Sequence, residues 1–286
     1  PGEYTILLKG NEIERGELMA NYYLAMNPNA NDEKIDGIAT REPTYGLPAL
    51  WIKEDVKENA LAKGFTVVDL ATVLTTHLSE IIKRHCHELL GRQDVQQLLD
   101  AVKETHPKVV EELVPNLLPL GGIVQVLQNL LREQVPIRDL LTILETLADW
   151  SPGTKDLDIL AEHVRHALAR TITKMHLTPE GQIAAITLGH SLESTISGAL
   201  QQTDHGSFLS LDPSVAQQMM NNLAASLEKM SSLNYQPVVM CSAPIRYHVK
   251  RLLDRFMPHI VVLSYDEILS KVEIQSLDML ELTHAD

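Results

Sequence analysis

The hydrophobic periodicity of the central part of the chain is the strongest constraint on its fold. From Leu70 to Leu90, and in further segments as far as Met175, apolar residues recur every three or four positions, which is typical of one face of an α-helix. Glycine or proline interrupts the pattern at short intervals: at Gly91, Pro107, Pro115, Pro119, Pro136 and the run Ser151-Pro152-Gly153. We therefore predict an all-helical domain with short connections over residues 92–175.

Strand-like segments precede this helical region. Tyr4–Lys9 has the length and composition of a β-strand, and so do Ala49–Ile52 and Phe65–Val68. Between the last two lies a short helical segment, Val56–Lys63, which Gly64 is expected to end. Asp69 is a predicted N-cap for the long helix that follows. Residues 35–69 are predicted to be a small α+β module.

Strands return after Met175. Ile183–Leu188, Val238–Cys241 and Ile260–Leu263 have strand character, and the pattern predicts helices over 192–202, 213–230 and 245–257. Alternating strands and helices indicate βαβ units and a partly parallel sheet. The predicted fold class is α+β with several subdomains, in which small α/β modules flank a central all-helical domain.

Composition and charge exclude several classes of protein. Hydrophobic residues make up 44% and charged residues 22% of the chain, which is ordinary for a folded protein and too apolar for a disordered one. The net charge of −14 disfavours binding to nucleic acid and to anionic membrane surfaces. No apolar run reaches the roughly 18–20 residues of a membrane span. The start, Pro1-Gly2-Glu3-Tyr4, does not resemble a signal peptide.

One motif suggests a hydrolase. The run from Gly189 to Glu193, with Ser191 at its centre, follows a predicted strand and precedes a helix, as the nucleophile turn of α/β-hydrolases does. Glu193, however, stands where that turn needs glycine. Asp254 with His259 or His284 are the available triad partners. A serine hydrolase using Ser191 is the alternative function, whereas a simple helix cap at Ser191 requires no chemistry.

Metal and nucleotide sites have little support. His85 and His87 lie two positions apart on a predicted helix and so do not share a face. His163 and His166 do share a face, but a metal site needs at least three ligands. No glycine-rich phosphate-binding motif follows a predicted strand. We predict no metal, no cofactor and no catalytic residue.

The loop from Glu42 to Pro48 is the best candidate binding element. It carries Tyr45, and its glycine and prolines restrict its shape. Rigid loops that expose an aromatic side chain often bind protein partners. The alternative is that Tyr45 packs onto its own small domain.

Several segments together resemble one family, the FlhA/InvA-type export-gate proteins of bacterial flagellar and type III secretion systems, in their C-terminal cytoplasmic domain. The likeness covers nearly the whole chain and is greater to the flagellar members. The segments that carry it are Tyr45–Ile52, Val67–Leu78, Glu88–Gln96, Leu127–Leu131, Val135–Asp139, Thr142–Ala148 and Val261–Ile268.

The resemblance implies four subdomains. The first is split between residues 1–20 and 70–90, and a small α+β insertion occupies 21–69. A helical subdomain then covers 91–170, and an α/β subdomain covers 171–286. Family members carry an earlier stretch of the first subdomain, so the resemblance also implies that part of its hydrophobic face is uncovered here.

The resemblance also implies a function without an enzymatic activity. Family members form a nine-membered ring at the cytoplasmic face of the inner membrane. There they bind flagellar export chaperones with their substrates and components of the export ATPase complex, and help to order substrate export. The docking groove maps onto Glu42, Tyr45 and Thr76. The family has Asp and Phe where Glu42 and Tyr45 stand, so the groove keeps a charge and a ring. We expect Tyr45 to anchor the partner and Glu42 to steer its approach.

Overall fold

The computed structural model describes residues 2–28, 34–203, 206–233 and 235–282. Contacts divide the chain into two units, residues 1–86 and residues 87–286, which we call the N-terminal unit and the C-terminal unit. The four subdomain boundaries inferred from the resemblance stay predictions.

The N-terminal unit contains two antiparallel sheets of short strands. Strands β1 (Glu3–Leu8) and β2 (Asn11–Glu17) pair as a hairpin whose register shifts between Ile6 and Leu7. The other strands form a second antiparallel sheet and are β3 (Tyr23–Met26), β4 (Ile38–Arg41), β5 (Pro48–Ile52) and β6 (Thr66–Val68). Their order in the sheet is β4-β5-β3-β6.

Two helices cover opposite faces of this second sheet, α1 (Glu54–Ala62) and α2 (Leu70–Leu89). Neighbouring residues of a strand point to opposite faces. Accordingly, Trp51 of β5 packs with Val73 of α2, whereas the next residue, Ile52, packs with Ala60 of α1. The predicted cap of α2 is confirmed, because the Thr72 amide donates a hydrogen bond of 2.7 Å to Asp69 Oδ1.

The C-terminal unit begins with the predicted all-helical region, which is confirmed. Its helices are α3 (Arg92–Thr105), α4 (Pro107–Glu112), α5 (Leu120–Arg132), α6 (Leu140–Trp150), α7 (Leu157–Ala167) and α8 (Ala169–Met175), and a π-helical turn spans Leu113–Leu117. The span 157–175 therefore contains two helices, which meet at Leu168. The caps explain where the helices begin: Asp139 and Asp156 accept backbone amides at the starts of α6 and α7.

A four-stranded sheet follows. The elements along the chain are β7 (Ile183–Leu188), α9 (His190–Gly198), β8 (Leu200–Thr203), β9 (Gly206–Leu209), α10 (Pro213–Ser232), β10 (Val238–Cys241), α11 (Ala243–Asp254), β11 (Val261–Ser264), a 3-10 turn (Tyr265–Glu267) and β12 (Ile274–Leu280). The sheet order is β11-β10-β7-β12. All three pairings in the described sheet are parallel, whereas a partly parallel sheet was predicted.

The predicted helix over 192–202 is wrong in its second half. Helix α9 ends at Gly198, and Leu200–Thr203 pairs instead with Gly206–Leu209 as the β8–β9 hairpin. The polar stretch 203–207 joins these strands, and two of its members, Asp204 and His205, lie outside the described residues. A segment of this length cannot be assigned to a helix or a strand from periodicity alone, and here the cross-strand pairing decides.

The helices and the parallel sheet share a hydrophobic core. Ile183 and Ala185 of β7 pack into the helical core, whereas Ile186 and Leu188 pack against α9, α10 and α11. All six residues of β7 are consequently buried. Burial on both faces explains why this strand is a continuous apolar run, and it is why the helical and α/β parts form one unit.

A buried ion network also joins these two parts. Arg246 of α11 donates to both carboxylate oxygens of Glu133, at 2.7 and 3.0 Å, and to Glu162 of α7. Arg165 of α7 pairs with Glu267 and, at 3.1 Å, with Glu133. Burial raises the pKa of Glu133, but the two guanidinium groups outweigh that effect and hold this pKa at about 2.

Within the described ranges, no single helix is both long and apolar enough to cross a bilayer. One bent pair, Pro107–Leu117 with Leu120–Arg132, meets the requirement by length and composition alone, with 107° between its two parts.

Candidate functional site

Residues 42–47 join β4 to β5, and we call them the Tyr45 loop. The strands on either side are in register, with Arg41 opposite Pro48. The loop closes through two backbone hydrogen bonds, from Glu42 N to Leu47 O and from Gly46 N to Glu42 O, at 2.8 and 2.9 Å. Gly46 has a φ of +69°, in the left-handed region that favours glycine. These features fix the loop backbone.

The side chain of Glu42 folds back into this loop. Its two carboxylate oxygens accept the backbone amides of Thr44 and Tyr45, at 2.7 and 2.8 Å. Only 7% of Glu42 is exposed. Bonds from amides to a carboxylate are stronger than bonds between neutral groups, so Glu42 stiffens the backbone on which Tyr45 sits. The structure thus places at the base of the loop a charge that we had expected to face a partner.

Tyr45 itself is exposed. The structure leaves 65% of this residue accessible, and the nearby Leu47 is also largely exposed. Arg41 donates a hydrogen bond of 2.7 Å to Gly46 O and so braces the turn between them. The exposed side chains of Tyr45 and Leu47 thus provide apolar surface on a stiff loop.

A polar cluster lies where the Tyr45 loop meets α2 and the β1–β2 hairpin. Arg84 of α2 donates to Thr44 O at 3.3 Å and lies 3.6 Å from the carboxylate of Glu14. The Tyr4 hydroxyl and His77 Nδ1 are 2.6 Å apart. Both His77 Nε2 and Thr44 Oγ1 are buried and have no hydrogen-bond partner in the described structure. Tyr4, His77 and Arg84 were not predicted as site residues, because their partners lie 40 to 73 positions away in the sequence.

The electrostatics of this cluster follow from burial. Desolvation lowers the pKa of His77, although Glu14 and Glu42 act in the opposite direction. Desolvation, with the same two carboxylates, raises the pKa of Tyr4. At neutral pH the pair is therefore an uncharged hydroxyl bonded to an uncharged imidazole.

Thr76 occupies the exposed surface of α2 beside buried His77. With about 100° per helical residue, Thr76 lies on one side of the buried face of α2. An exposed apolar stripe formed by Leu74, Leu78 and Ile82 lies on the other side. The structure therefore places Thr76 next to the cluster that supports the Tyr45 loop. Within the described residues no hydrogen bond links Thr76 to Tyr45.

In the described part of the chain, no catalytic triad forms around the serine of the hydrolase motif. Ser191 is exposed in the first turn of α9, and its carbonyl accepts the Thr195 hydroxyl. No histidine bonds to Ser191 within the described ranges, and the nominated His284 lies outside them. Glu193, which occupies the position of the missing glycine, accepts the Ser242 amide at 2.7 Å and links α9 to the start of α11. This contact gives Glu193 a structural role.

The histidines considered as metal ligands are not grouped as a metal site would require. His163 stacks on Trp150, with 3.6 Å between ring centroids. Across the described part of the chain, no three histidine, cysteine, aspartate or glutamate side chains are arranged to hold a metal ion.

Comparison with known proteins identifies the family. The FHIPEP family model matches residues 1–273. The chain belongs to the FHIPEP family. It is 45% identical over 282 residues to the flagellar biosynthesis protein FlhA of Bacillus subtilis (strain 168), a match that covers 99% of this chain and 42% of that protein. The chain thus spans about two fifths of this relative, and the resemblance inferred from its sequence segments is confirmed.

Solved structures agree with the fold. One is the complex of the Chlamydia pneumoniae CdsV and CdsO proteins, whose matching chain is 28% identical with a TM-score of 0.81, covering 98% of this chain and 80% of that one. Another is the nonameric EscV cytosolic domain of a type III secretion system, 26% identical with a TM-score of 0.74, covering 96% and 81%. The predicted α+β fold class is confirmed.

Proposed function

We propose that this chain is the cytoplasmic docking platform of a flagellar protein export gate, and that it binds export chaperones with their substrates at the Tyr45 loop. The observation that carries the proposal is the exposure of Tyr45 on a loop fixed by Glu42 and Gly46. The similarity to a flagellar FlhA protein along 99% of the chain supports the biological setting.

The proposed contact is small and reversible. Burial of an aromatic side chain such as Tyr45 contributes about 1.5–3 kcal/mol, and Leu47 adds to the same patch. A carrier must be released after delivery, which favours an interface below about 1,200 Å². A partner helix, or a segment that folds on binding, fits an exposed patch of this kind.

The remaining site residues have supporting parts in this proposal. Glu42 fixes the backbone under Tyr45, which lowers the entropy that the loop loses when a partner binds. Thr76 supplies an exposed hydroxyl on α2 beside the cluster that supports the loop. In this proposal Glu42 positions the loop, Tyr45 anchors the partner, and Thr76 contacts the partner at the edge of the interface.

Assembly and location form part of the same proposal. The nonameric EscV cytosolic domain supports a nine-membered ring of this chain at the cytoplasmic face of the membrane. The CdsV–CdsO complex supports a contact with a component of the export machinery, which we assign to the export ATPase complex. The acidic net charge supports protein partners in preference to nucleic acid.

The test is the binding of a purified flagellar chaperone–substrate complex to the Tyr45→Ala variant, measured by calorimetry. We expect affinity to fall by at least about tenfold, the equivalent of 1.4 kcal/mol, with an unchanged unfolding midpoint. Phe256→Ala is the matched control, because Phe256 is also 65% exposed and lies in the C-terminal unit. Unchanged affinity of Tyr45→Ala would refute docking at this loop.

A further inference from the structure

The C-terminal unit contains a large cavity that the proposed function does not use. Its volume is about 660 Å³. One face of α7, the first turns of α11 and the β8–β9 hairpin line it, and Trp150 at the end of α6 closes one side. This volume falls within the range of about 300–1,000 Å³ typical of ligand sites in proteins.

Side-chain contacts hold the walls of this cavity in place. Trp150 stacks on His163 and joins α6 to α7, with 9° between the ring planes. The Tyr247 hydroxyl donates a hydrogen bond of 2.5 Å to Asp158 and joins α11 to α7. Ser207 Oγ and His248 Nε2 are 3.0 Å apart and join the hairpin to α11. A site whose walls are already fixed loses little entropy when it is filled.

The lining combines apolar surface with negative charge. Trp150 remains 48% exposed, and Ile159, Leu200 and Pro244 add aliphatic surface. Five carboxylates and one arginine are among the lining residues, which gives the cavity an excess of acid.

The buried ion network neutralises part of this acid. Glu162 and Glu267 are paired with buried Arg246 and Arg165. Asp156, Asp158 and Asp266 are the other three lining carboxylates, and the lining offers one arginine, Arg251, to balance their charge. Burial lowers the pKa of both His163 and His248, so these residues add no positive charge at neutral pH.

From this geometry we infer that the cavity is a second docking site, and that it binds a protein segment carrying a lysine or arginine beside a large apolar side chain. The basic group pairs with the excess carboxylate, of which Asp266 is the exposed member. The apolar side chain packs on the accessible part of Trp150, and an arginine there also gains a cation–π contact. The same negative charge disfavours nucleic acid and other phosphorylated ligands as occupants.

The test uses the 286-residue chain and a phage-displayed library of random short peptides. We expect the selected peptides to combine basic and large apolar residues. We expect Trp150→Ala to weaken the best of them about 30-fold and Asp266→Lys about tenfold, with the controls within about twofold. Because Asp266 is exposed, its variant keeps the test valid if Trp150→Ala alters the fold.

Matched controls separate the cavity from general surface effects. Glu104→Lys makes the same change of charge on the exposed surface of α3, and Phe208→Ala removes an exposed aromatic side chain that does not line the cavity. Acidic consensus peptides, or peptides whose binding ignores both cavity variants, would overturn the inference. So would a failure to select any peptide, or self-association abolished by Asp266→Lys, which would identify a second copy as the occupant.

Discussion

The Tyr45 loop and the ion network around Arg246 are both held by buried carboxylates, but over very different distances along the chain. Glu42 bonds to backbone amides two and three positions away. Arg246 bonds to carboxylates 84 and 113 positions away. The first arrangement fixes a local backbone conformation, and the second fixes the packing of separate helices.

This difference bears on function. Because the loop is stabilised largely from within, Tyr45 and Leu47 remain exposed, as the proposed docking requires. The network at Arg246 is largely buried and instead ties α7 to α11, and its member Glu162 also lines the proposed cavity. A local arrangement therefore suits a binding loop, and a long-range one suits the walls of a preformed cavity.

Of the changes that test this comparison, removing Arg246 is expected to have the largest effect on the free energy of unfolding. Arg246→Met leaves the largely buried carboxylates of Glu133 and Glu162 without their main partner, and the expected cost is up to about 3–5 kcal/mol of unfolding free energy. The loss should be confined to the C-terminal unit. Urea unfolding followed by far-UV circular dichroism measures it, because most helices belong to that unit.

The N-terminal unit has its own reporter. Trp51 is buried there, and the other tryptophan, Trp150, can be replaced by phenylalanine. The Trp51 fluorescence transition should not move in Arg246→Met. Arg255→Met, which removes an exposed arginine just beyond α11, is the control. Equal shifts of both transitions would show that the network stabilises the whole chain.

Replacing Glu42 tests the local arrangement and has a smaller expected effect. In Glu42→Gln only one side-chain oxygen remains to accept the amides of Thr44 and Tyr45, so one hydrogen bond is lost. The expected cost is about 1–2 kcal/mol in the Trp51 transition. Chaperone binding should weaken several-fold, because Tyr45 then sits on a looser loop.

Glu58→Gln makes the same change of charge on the exposed surface of α1 and serves as the control. A variant at Glu42 that keeps its stability but loses binding would show that the carboxylate contacts the partner directly. That result would restore the steering role expected from the sequence.

The same contrast explains what could be predicted from the sequence. The helical region, Asp69 as a cap and strand β7 were predicted correctly, because each depends on residues that are close in sequence. The β8–β9 hairpin was missed, because its pairing competes with a short helix-like pattern. The Tyr45 loop was predicted to be a binding element, and this stays a prediction. The inward turn of Glu42 was not foreseen, because a carboxylate suits a protein surface equally well.

Contacts between distant residues were beyond sequence reasoning altogether. Nothing in the pattern around His77 or Tyr4 indicates that a helix and the first strand meet through a hydroxyl–imidazole bond. Arg165 and Arg246 are both buried in the structure, and the local sequence pattern of their helices does not indicate this. Only the fold brings such groups together, and only the fold decides which of them lose their hydration.

Lowering the pH is expected to have the smallest effect on stability, and it tests the polar cluster of Tyr4 and His77 that supports the Tyr45 loop. Burial depresses the pKa of His77 in the folded state, whereas an unfolded histidine titrates near about pH 6.5. Below that pH the unfolded chain binds a proton that the folded chain does not. The stability due to neutral His77 is therefore present above about pH 6.5 and is lost as the pH falls.

The measurement compares the Trp51 unfolding midpoint in urea at about pH 7.5 and about pH 5.5, either side of the ordinary histidine pKa. His77→Gln should flatten this pH dependence, whereas His85→Gln, at the other histidine of the N-terminal unit, should leave it unchanged. Comparing slopes rather than absolute stabilities removes the cost of losing the bond to Tyr4. If the slope persists in His77→Gln, the acid sensitivity of this unit arises elsewhere than at the cluster under the Tyr45 loop.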